Sequence, residues 1–318
     1  LRRLAWRSAN SFALLTENCH GITAVGLTLK PQAGRYFTGP RDGWKIYRCG
    51  GDILVEDSWF EGFRMDAQNV QSNFLVLERQ ERDVCVFACR YAPIPLQNGC
   101  ALRLHTPSGE RAATIESWHF LEGRMERAEQ SRDVGAGRAV EGARNHITRY
   151  ELRVEGMPEN CPTGMLAEPL CWEPSSYTCR RTVFRNIAGA GHLIRCRNVL
   201  LEHNVYEHLM CAGVMIGAEL DTHQESGHGR DVTIRHNIFS HIGVKPRYGV
   251  YGCAAIAVKS EGFDGAFNQN ILVEDNAFRD CSRAVELRDC REVVIRRNTY
   301  VNVQERLFVD PQTTERIS

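Results

Sequence analysis

Between Asn198 and Val303 the chain repeats one pattern of apolar and polar positions. Asn198–Tyr206, Asp231–Phe239, Asn270–Phe278 and Glu292–Tyr300 each alternate apolar with polar residues. Each then ends on Asn, one intervening residue and an aromatic. Alternation with period two predicts strands, because successive side chains of a strand point to opposite faces. The Asn recurs as Asn204, Asn237, Asn276 and Asn298, and the last interval is 22 residues. That interval suits one coil of a parallel β-solenoid, and the longer intervals read as coils that carry inserted loops. Each coil adds a rung ~4.8 Å above the last. The apolar positions are then expected to face a shared interior and the aromatics to stack within it. The Asn is expected at a corner, where it tolerates left-handed geometry and its amide bonds to the neighbouring coils.

The same phrase occurs near the start. Ile53-Leu-Val-Glu-Asp-Ser-Trp-Phe60 matches Ile271-Leu-Val-Glu-Asp-Asn-Ala-Phe278, with Ser58 in the Asn position. Residues 1–71 therefore read as the first coils. From residue 72 to 172 the phrase disappears and alternating segments replace it: Phe74–Leu77, Asp83–Ala88, Cys100–His105, Arg111–Trp118 and Ile147–Val154. Turn signals such as Pro107-Ser-Gly109 separate them, which predicts a small antiparallel barrel or sandwich. The polar stretch Arg124–Asn145 reads as a loop. The phrase resumes at Thr178–Phe184, so residues 173–318 are expected to form the main solenoid. The fold class is all-β: a parallel β-helix interrupted by a small β-domain.

Composition narrows the function. Lys+Arg and Asp+Glu balance at 39 each, which gives no basic surplus for nucleic acid and no charge run for a membrane surface. No apolar run approaches the ~20 residues of a spanning helix. The chain starts Leu-Arg-Arg-Leu, without an initiator Met or a signal-like segment, and is expected to be a processed chain or a fragment. A secreted or periplasmic location is expected. Thirteen Cys occur without a CxxC pair, so no zinc ribbon is indicated. Cys49, Cys196, Cys281 and Cys290 fall beside repeat turns and read as small buried hydrophobes. Cys161 and Cys171 share a loop-like stretch in which they are candidates to pair. No cofactor or metal is expected.

Solenoids offer long faces to extended glycans, and glycoside hydrolysis needs two carboxyl groups about the scissile bond. Asp42 and Asp66 lie about one coil apart and are candidates for that pair, although Asp also favours turns. A second acidic group, Glu219, Asp221, His223 and Glu225, sits in a long polar stretch whose spacing fits no standard metal set. Glu261 follows the strand-like Ala255–Lys259. Trp44, Trp59, Phe63 and Tyr248 are candidate sugar platforms, with core packing favoured for Trp59 and Phe63. The expected catalytic residues are Asp42, Asp66, Glu225 and Glu261, all facing one cleft. Trp44, Lys45, Gln71, Glu219, Asp221 and His223 are the expected substrate contacts.

Two stretches carry a resemblance. Ala218–Phe239, with Glu225-Ser-Gly227, and Ala255–Glu261 leading into Asn270–Asn276 resemble glycoside hydrolase family 110, the bacterial exo-acting α-1,3-galactosidases. The resemblance implies a right-handed parallel β-helix with an inserted small barrel, and an inverting cleavage of terminal galactose. It covers nearly the whole chain, and the counterpart of the family's usual N-terminal part is expected to be missing from it. The family pattern Asp-Asp-Ala-x-Asn-Val-His-Gly falls on Met65-Asp-Ala-Gln-Asn-Val-Gln-Ser72, which keeps Asp66 but carries Met65 and Gln71. A further family acid, about one coil earlier, matches Asp42. A segment like Asn-Arg-Ala-Arg-Gly falls on Ile187-Ala-Gly-Ala-Gly191, with both Arg replaced. Three readings follow: an exo-glycosidase of altered specificity, a non-catalytic glycan-binding or structural solenoid, and a lyase or epimerase acting on uronates. The last would want Ca²⁺ or a basic cleft, and no Lys/Arg cluster beside the acids supports it. The expected partner is a glycan or polysaccharide, neither nucleic acid nor membrane, with homo-oligomer formation left open.

Overall fold

A computed structural model describes the chain except residues 91–92, 128–131, 134–137, 140–143, 221–222, 244–253 and 264. The described residues divide into two compact units. One comprises residues 1–71, 174–218 and 227–318; the other comprises residues 72–173 and 219–226. No helix among the described residues is long and apolar enough to cross a membrane.

The first unit is built from three long parallel sheets that the chain visits in turn, the arrangement of a parallel β-helix. The repeated phrase forms the first sheet, with Val199, Val232, Ile271 and Val293 in register and Leu201, Ile234, Val273 and Ile295 two residues on. These apolar columns enter one continuous core. The aromatics of the second sheet stack through it as Phe60, Phe184, Tyr206, Phe239, Phe278 and Tyr300. Their centroids are 4.6–5.4 Å apart and their ring planes nearly parallel.

The corner between these sheets differs in one respect from expectation. The left-handed residue is the one before the Asn: Asp57, Arg181, His203, His236, Asp275 and Arg297 have φ of 50–55°. The Asn contributes a side-chain ladder. The N–H of Asn204, Asn237 and Asn276 donates to Oδ1 of the next Asn in the column at 2.9 Å. Each Nδ2 donates to a strand carbonyl, as Asn237 does to Leu201 O and Asn276 to Ile234 O. The backbone bends at the residue whose side chain reaches water, and the buried Asn satisfies the amides that the bend orphans. Ser58 and Thr182 continue the column: Leu27 N–H donates to Ser58 Oγ, and Ser58 N–H to Thr182 Oγ1.

The second unit is a closed antiparallel barrel of the strands Leu75–Glu81, Val84–Arg90, Ala101–Thr106, Gly109–Arg127, Arg144–Glu155 and Leu166–Pro169. Its interior holds Phe87, Leu102, Leu104, Ile115, Tyr150 and Leu152, all buried. The stretch read as a loop, Arg124–Asn145, is strand at both described ends, since Arg124–Arg127 pair with Arg144–Ile147. The sequence of this stretch is mostly polar and Gly-containing, so it leaves no apolar alternation to read. Residues Glu219–Ser226 also belong to this unit, as a hairpin whose Glu225 and Ser226 pair with Asn73 and Ser72. All described cysteines are free thiols. Cys171 lies beside Cys100 rather than pairing with Cys161, which donates to Pro158 O.

Candidate active site

The third sheet of the first unit sets the geometry. Its register aligns Trp44, Gln68, His192, Val214 and Ile256 on successive rungs. Two residues upstream, the same column reads Asp42, Asp66, Ala190, Ala212, Ala254. Backbone bonds join these rungs: Gly43 N–H to Asp66 O at 2.8 Å, Ala67 N–H to Ala190 O at 2.9 Å, and Gly191 N–H to Ala212 O at 3.0 Å. Ala67 and Ala255, one residue before the aligned column, belong to the coil core. The residues preceding them turn outward. Ala190, Ala212 and Ala254 accordingly form, with Leu193, Met215 and Ala257, an apolar cluster distinct from the core. Asp42 and Asp66 therefore occupy the outer face of adjacent rungs, with Cα atoms ~4.8 Å apart, and both are buried.

The next outward columns begin with Lys45 and Asn69, then with Tyr47, Gln71 and Arg195. Ala190 N–H donates to Asp66 Oδ1 at 2.7 Å, and Arg195 Nη1 donates to Asn69 Oδ1 at 3.2 Å. Lys45 Nζ lies 5.1 Å from the Tyr47 ring centroid, and the Arg48 guanidinium 4.7 Å from it. Gly189 makes room for the carboxylate, since a Cβ there would sit 2.5 Å from Asp66 Oδ1. Gln71 is 1% exposed, yet among the described residues neither its Oε1 nor its Nε2 has a hydrogen-bond partner. A buried amide in that condition is exceptional and expensive, because buried polar groups are almost always paired.

Behind this face runs a polar chain inside the coil. Tyr177 Oη donates to Gln68 Oε1. His192 Nε2 lies 3.1 Å from Tyr177 Oη, and His192 Nδ1 3.1 Å from Tyr206 Oη. The hydroxyl of Tyr177 is spent on Gln68, so it accepts from Nε2–H, and Nδ1 accepts from Tyr206 O–H. Burial pushes His192 down to about 3 and both tyrosines well up, which fits a fully neutral relay.

The remaining sequence candidates fall elsewhere. Trp44 is a correction: it points into the coil core with no exposed surface, its indole N–H donated to Thr16 Oγ1 at 3.2 Å, and it is no sugar platform. Phe63 is likewise core, whereas Trp59 is only partly buried and donates to Glu61 Oε2. Glu261 lies beyond the downstream end of the third sheet, its N–H donated to Ala218 O at 2.9 Å. The acids precede the upstream end of that sheet, and the strand before Glu261 is three rungs from that of Asp66. The structure therefore does not bring Glu261 to the Asp42–Asp66 pair. Glu219 and Glu225 face each other in the hairpin of the second unit, with backbone bonds of 3.0 and 2.8 Å, and His223 is exposed at its tip. Asp221 and Tyr248 lie outside the described residues. Sequence reading missed the roles of Asn69, Gly189 and Arg195. Asn69 and Gly189 lay within stretches already under inspection, but the place of Gly189 against Asp66, and Arg195 altogether, become visible only once the rung register is known.

No family model matches the chain. It is similar to alpha-1,3-galactosidase B of Bacteroides fragilis strain YCH46, at 25% identity over 286 residues, covering 85% of this chain and 46% of that protein. It is similar to alpha-1,3-galactosidase A of the same strain at 25% over 313 residues, covering 96% and 49%. It is also similar to alpha-1,3-galactosidase B of Akkermansia muciniphila at 24% over 290 residues, covering 88% and 34%. The chain spans about half or less of the length of the curated relatives it matches.

Proposed function

We propose that this chain carries the site of a glycoside hydrolase that removes a terminal sugar, related to the inverting α-1,3-galactosidases of glycoside hydrolase family 110. The observation that carries the reading is the pair of buried carboxyl groups, Asp42 and Asp66, in one outward column on consecutive rungs. The Gln71 amide, buried further along the strand that follows Asp66 and without a hydrogen-bond partner among the described residues, supports it, since a sugar diol supplies both a donor and an acceptor. The named relatives support it independently.

In this reading Asp66 accepts the Ala190 N–H and acts on water, while Asp42 protonates the departing oxygen. The reaction calls for one of the two carboxyl groups protonated and the other charged. Inverting enzymes keep the two carboxyl groups ~6.5–9.5 Å apart to admit that water. An inverting reaction here requires the Asp42 and Asp66 side chains to splay beyond the ~4.8 Å rung spacing. Asn69, Gln71 and Lys45 hold the sugar ring by its hydroxyls. Met65, 38% exposed, stands where the resemblance calls for an acid, and it favours a second reading in which the site binds a glycan without turnover.

A panel of aryl α-glycosides, with the anomer of the released sugar followed by NMR, decides between the readings. Asp66→Asn is expected to lower turnover by ~10²–10⁴-fold, the usual worth of a proton-transfer group, and to leave sugar binding in place. Met65→Asp is expected to raise turnover of α-galactosides if the ancestral acid is simply missing. A wild-type chain that binds glycan by calorimetry and turns over no α-glycoside at any pH would establish the binding reading instead.

A further inference from the structure

The barrel brings two cysteines together across its strands. Cys100 opens the strand Ala101–Thr106, and Cys171 lies in the single turn of 3₁₀ helix Leu170–Trp172 that follows the strand Leu166–Pro169. Those strands are antiparallel neighbours, with Leu102 opposite Pro169, Arg103 opposite Glu168 and Leu104 opposite Ala167. That pairing ends at Leu102 and Pro169, and the 3₁₀ turn that follows brings Cys171 back onto Cys100. The Cys171 N–H donates to Cys100 Sγ at 3.1 Å, so the backbone of one cysteine touches the sulfur of the other. A disulfide needs Cα atoms ~4.4–6.8 Å apart, a span that residues in such contact can meet. Both sulfurs are free thiols, Cys171 only half-buried and Cys100 largely covered.

We propose that Cys100 and Cys171 form a reversible thiol–disulfide pair, a covalent modification site that ties the start of one barrel strand to the turn after its neighbour. The thiol of Cys171 donates to Cys100, which lowers the Cys100 pKa and raises that of Cys171. Cys100 is thereby the attacking sulfur. Its thiolate attacks one sulfur of a low-molecular-weight disulfide such as oxidised glutathione, forms a mixed disulfide and releases one glutathione thiolate. Cys171 then gives its proton to solvent and attacks the Cys100 sulfur. The Cys100–Cys171 bond forms, and the second glutathione leaves. Two cysteine thiols are oxidised by two electrons, and one oxidised glutathione becomes two reduced ones. No other thiol need move, because the two cysteines are already in hydrogen-bond contact.

The test uses the full chain as it folds, incubated with oxidised glutathione, alkylated and mapped by peptide mass. The expected result is loss of two of the thirteen thiols. It includes a cross-linked peptide lighter by two hydrogens that joins Cys100 to Cys171, reversed by dithiothreitol. Cys100→Ser and Cys171→Ser should each abolish the cross-link and leave the partner as a glutathione adduct or a free thiol. Separate alkylation of both cysteines in the wild type would overturn the proposal. So would a bond from Cys171 to Cys161, or a cross-link that appears only after denaturation. Because the wild-type map alone decides, a serine variant that fails to fold does not weaken the test.

Discussion

Replacing His192 by Gln tests whether the neutral relay inside the coil makes the fold acid-labile. His192 is fully buried between Tyr177 and Tyr206, and in the folded state it titrates at about 3 because burial disfavours its charge. In the unfolded chain an ordinary imidazole titrates near 6.5. Between those values the unfolded state binds more protons than the folded one, so stability falls as pH falls. The contribution is fully present above pH ~6.5 and is lost progressively toward pH ~3. Each pH unit within that window removes about 1.4 kcal/mol. At pH 4 the loss is on the order of 3 kcal/mol, a large share of a typical ~5–15 kcal/mol. Gln keeps an acceptor for Tyr206 O–H and a donor for Tyr177 Oη, and does not titrate. Urea unfolding at pH 7, 6, 5 and 4 is the assay. The wild type is expected to lose stability faster than His192→Gln below pH 6.5, with the difference in slope approaching ~1.4 kcal/mol per unit. A difference between the two proteins that stays constant from pH 6.5 to 4 would refute the reasoning.

Two further outcomes are expected. Gly189→Ala would place a methyl 2.5 Å from Asp66 Oδ1 and against the Met65 backbone, so it should displace that carboxyl; activity is expected to fall by at least ~10²-fold, while circular dichroism stays that of the wild type. Asn276→Ala removes the acceptor for Asn237 N–H and the donor to Ile234 O in a buried column, and should cost ~1–3 kcal/mol; an unchanged denaturation midpoint would count against the ladder.

What was legible in the sequence was whatever repeats. The Asn column, the aromatic stack and the apolar columns of the first sheet recur at intervals that a reader can align, so their stacking followed from period and spacing. The site was only half legible. Asp42 and Asp66 sit on adjacent rungs that are also near neighbours in sequence. Asp66 and Ala190 are just as close in space, yet 124 residues apart, because the inserted barrel lies between them. Arg195, and the position of Gly189 against the Asp66 carboxyl, could not be read without that rung match. Glu261 was chosen for being an acid near a strand end, but it follows the third-sheet strand where Asp66 precedes it. Trp44 was misread because the chain bends at Gly43–Trp44, so that two successive positions face inward. The left-handed residue of each corner was hidden for another reason: Asp, Arg and His all occupy it, and only the buried Asn beside it is restricted in type.

The inserted barrel also bears on how the coils can assemble. Strand Gly50–Glu56 pairs with Pro174–Arg180 across about 120 residues of intervening chain. In an unfolded chain, closing that loop carries an entropic penalty that grows as (3/2)RT ln n. Within the barrel, however, the first strand pairs with the last, Leu75 opposite Ala167. Once the barrel is folded its entrance and exit are neighbours, and the effective loop shrinks to the length of its short connectors. That loop is about fivefold shorter, which lowers the closure cost by roughly 1.5 kcal/mol. The barrel therefore works as a splice in the solenoid, and its folding should precede the docking of the first coils onto the later ones. Core substitutions in the barrel, such as at Phe87 or Leu152, should slow the assembly of a solenoid they do not belong to.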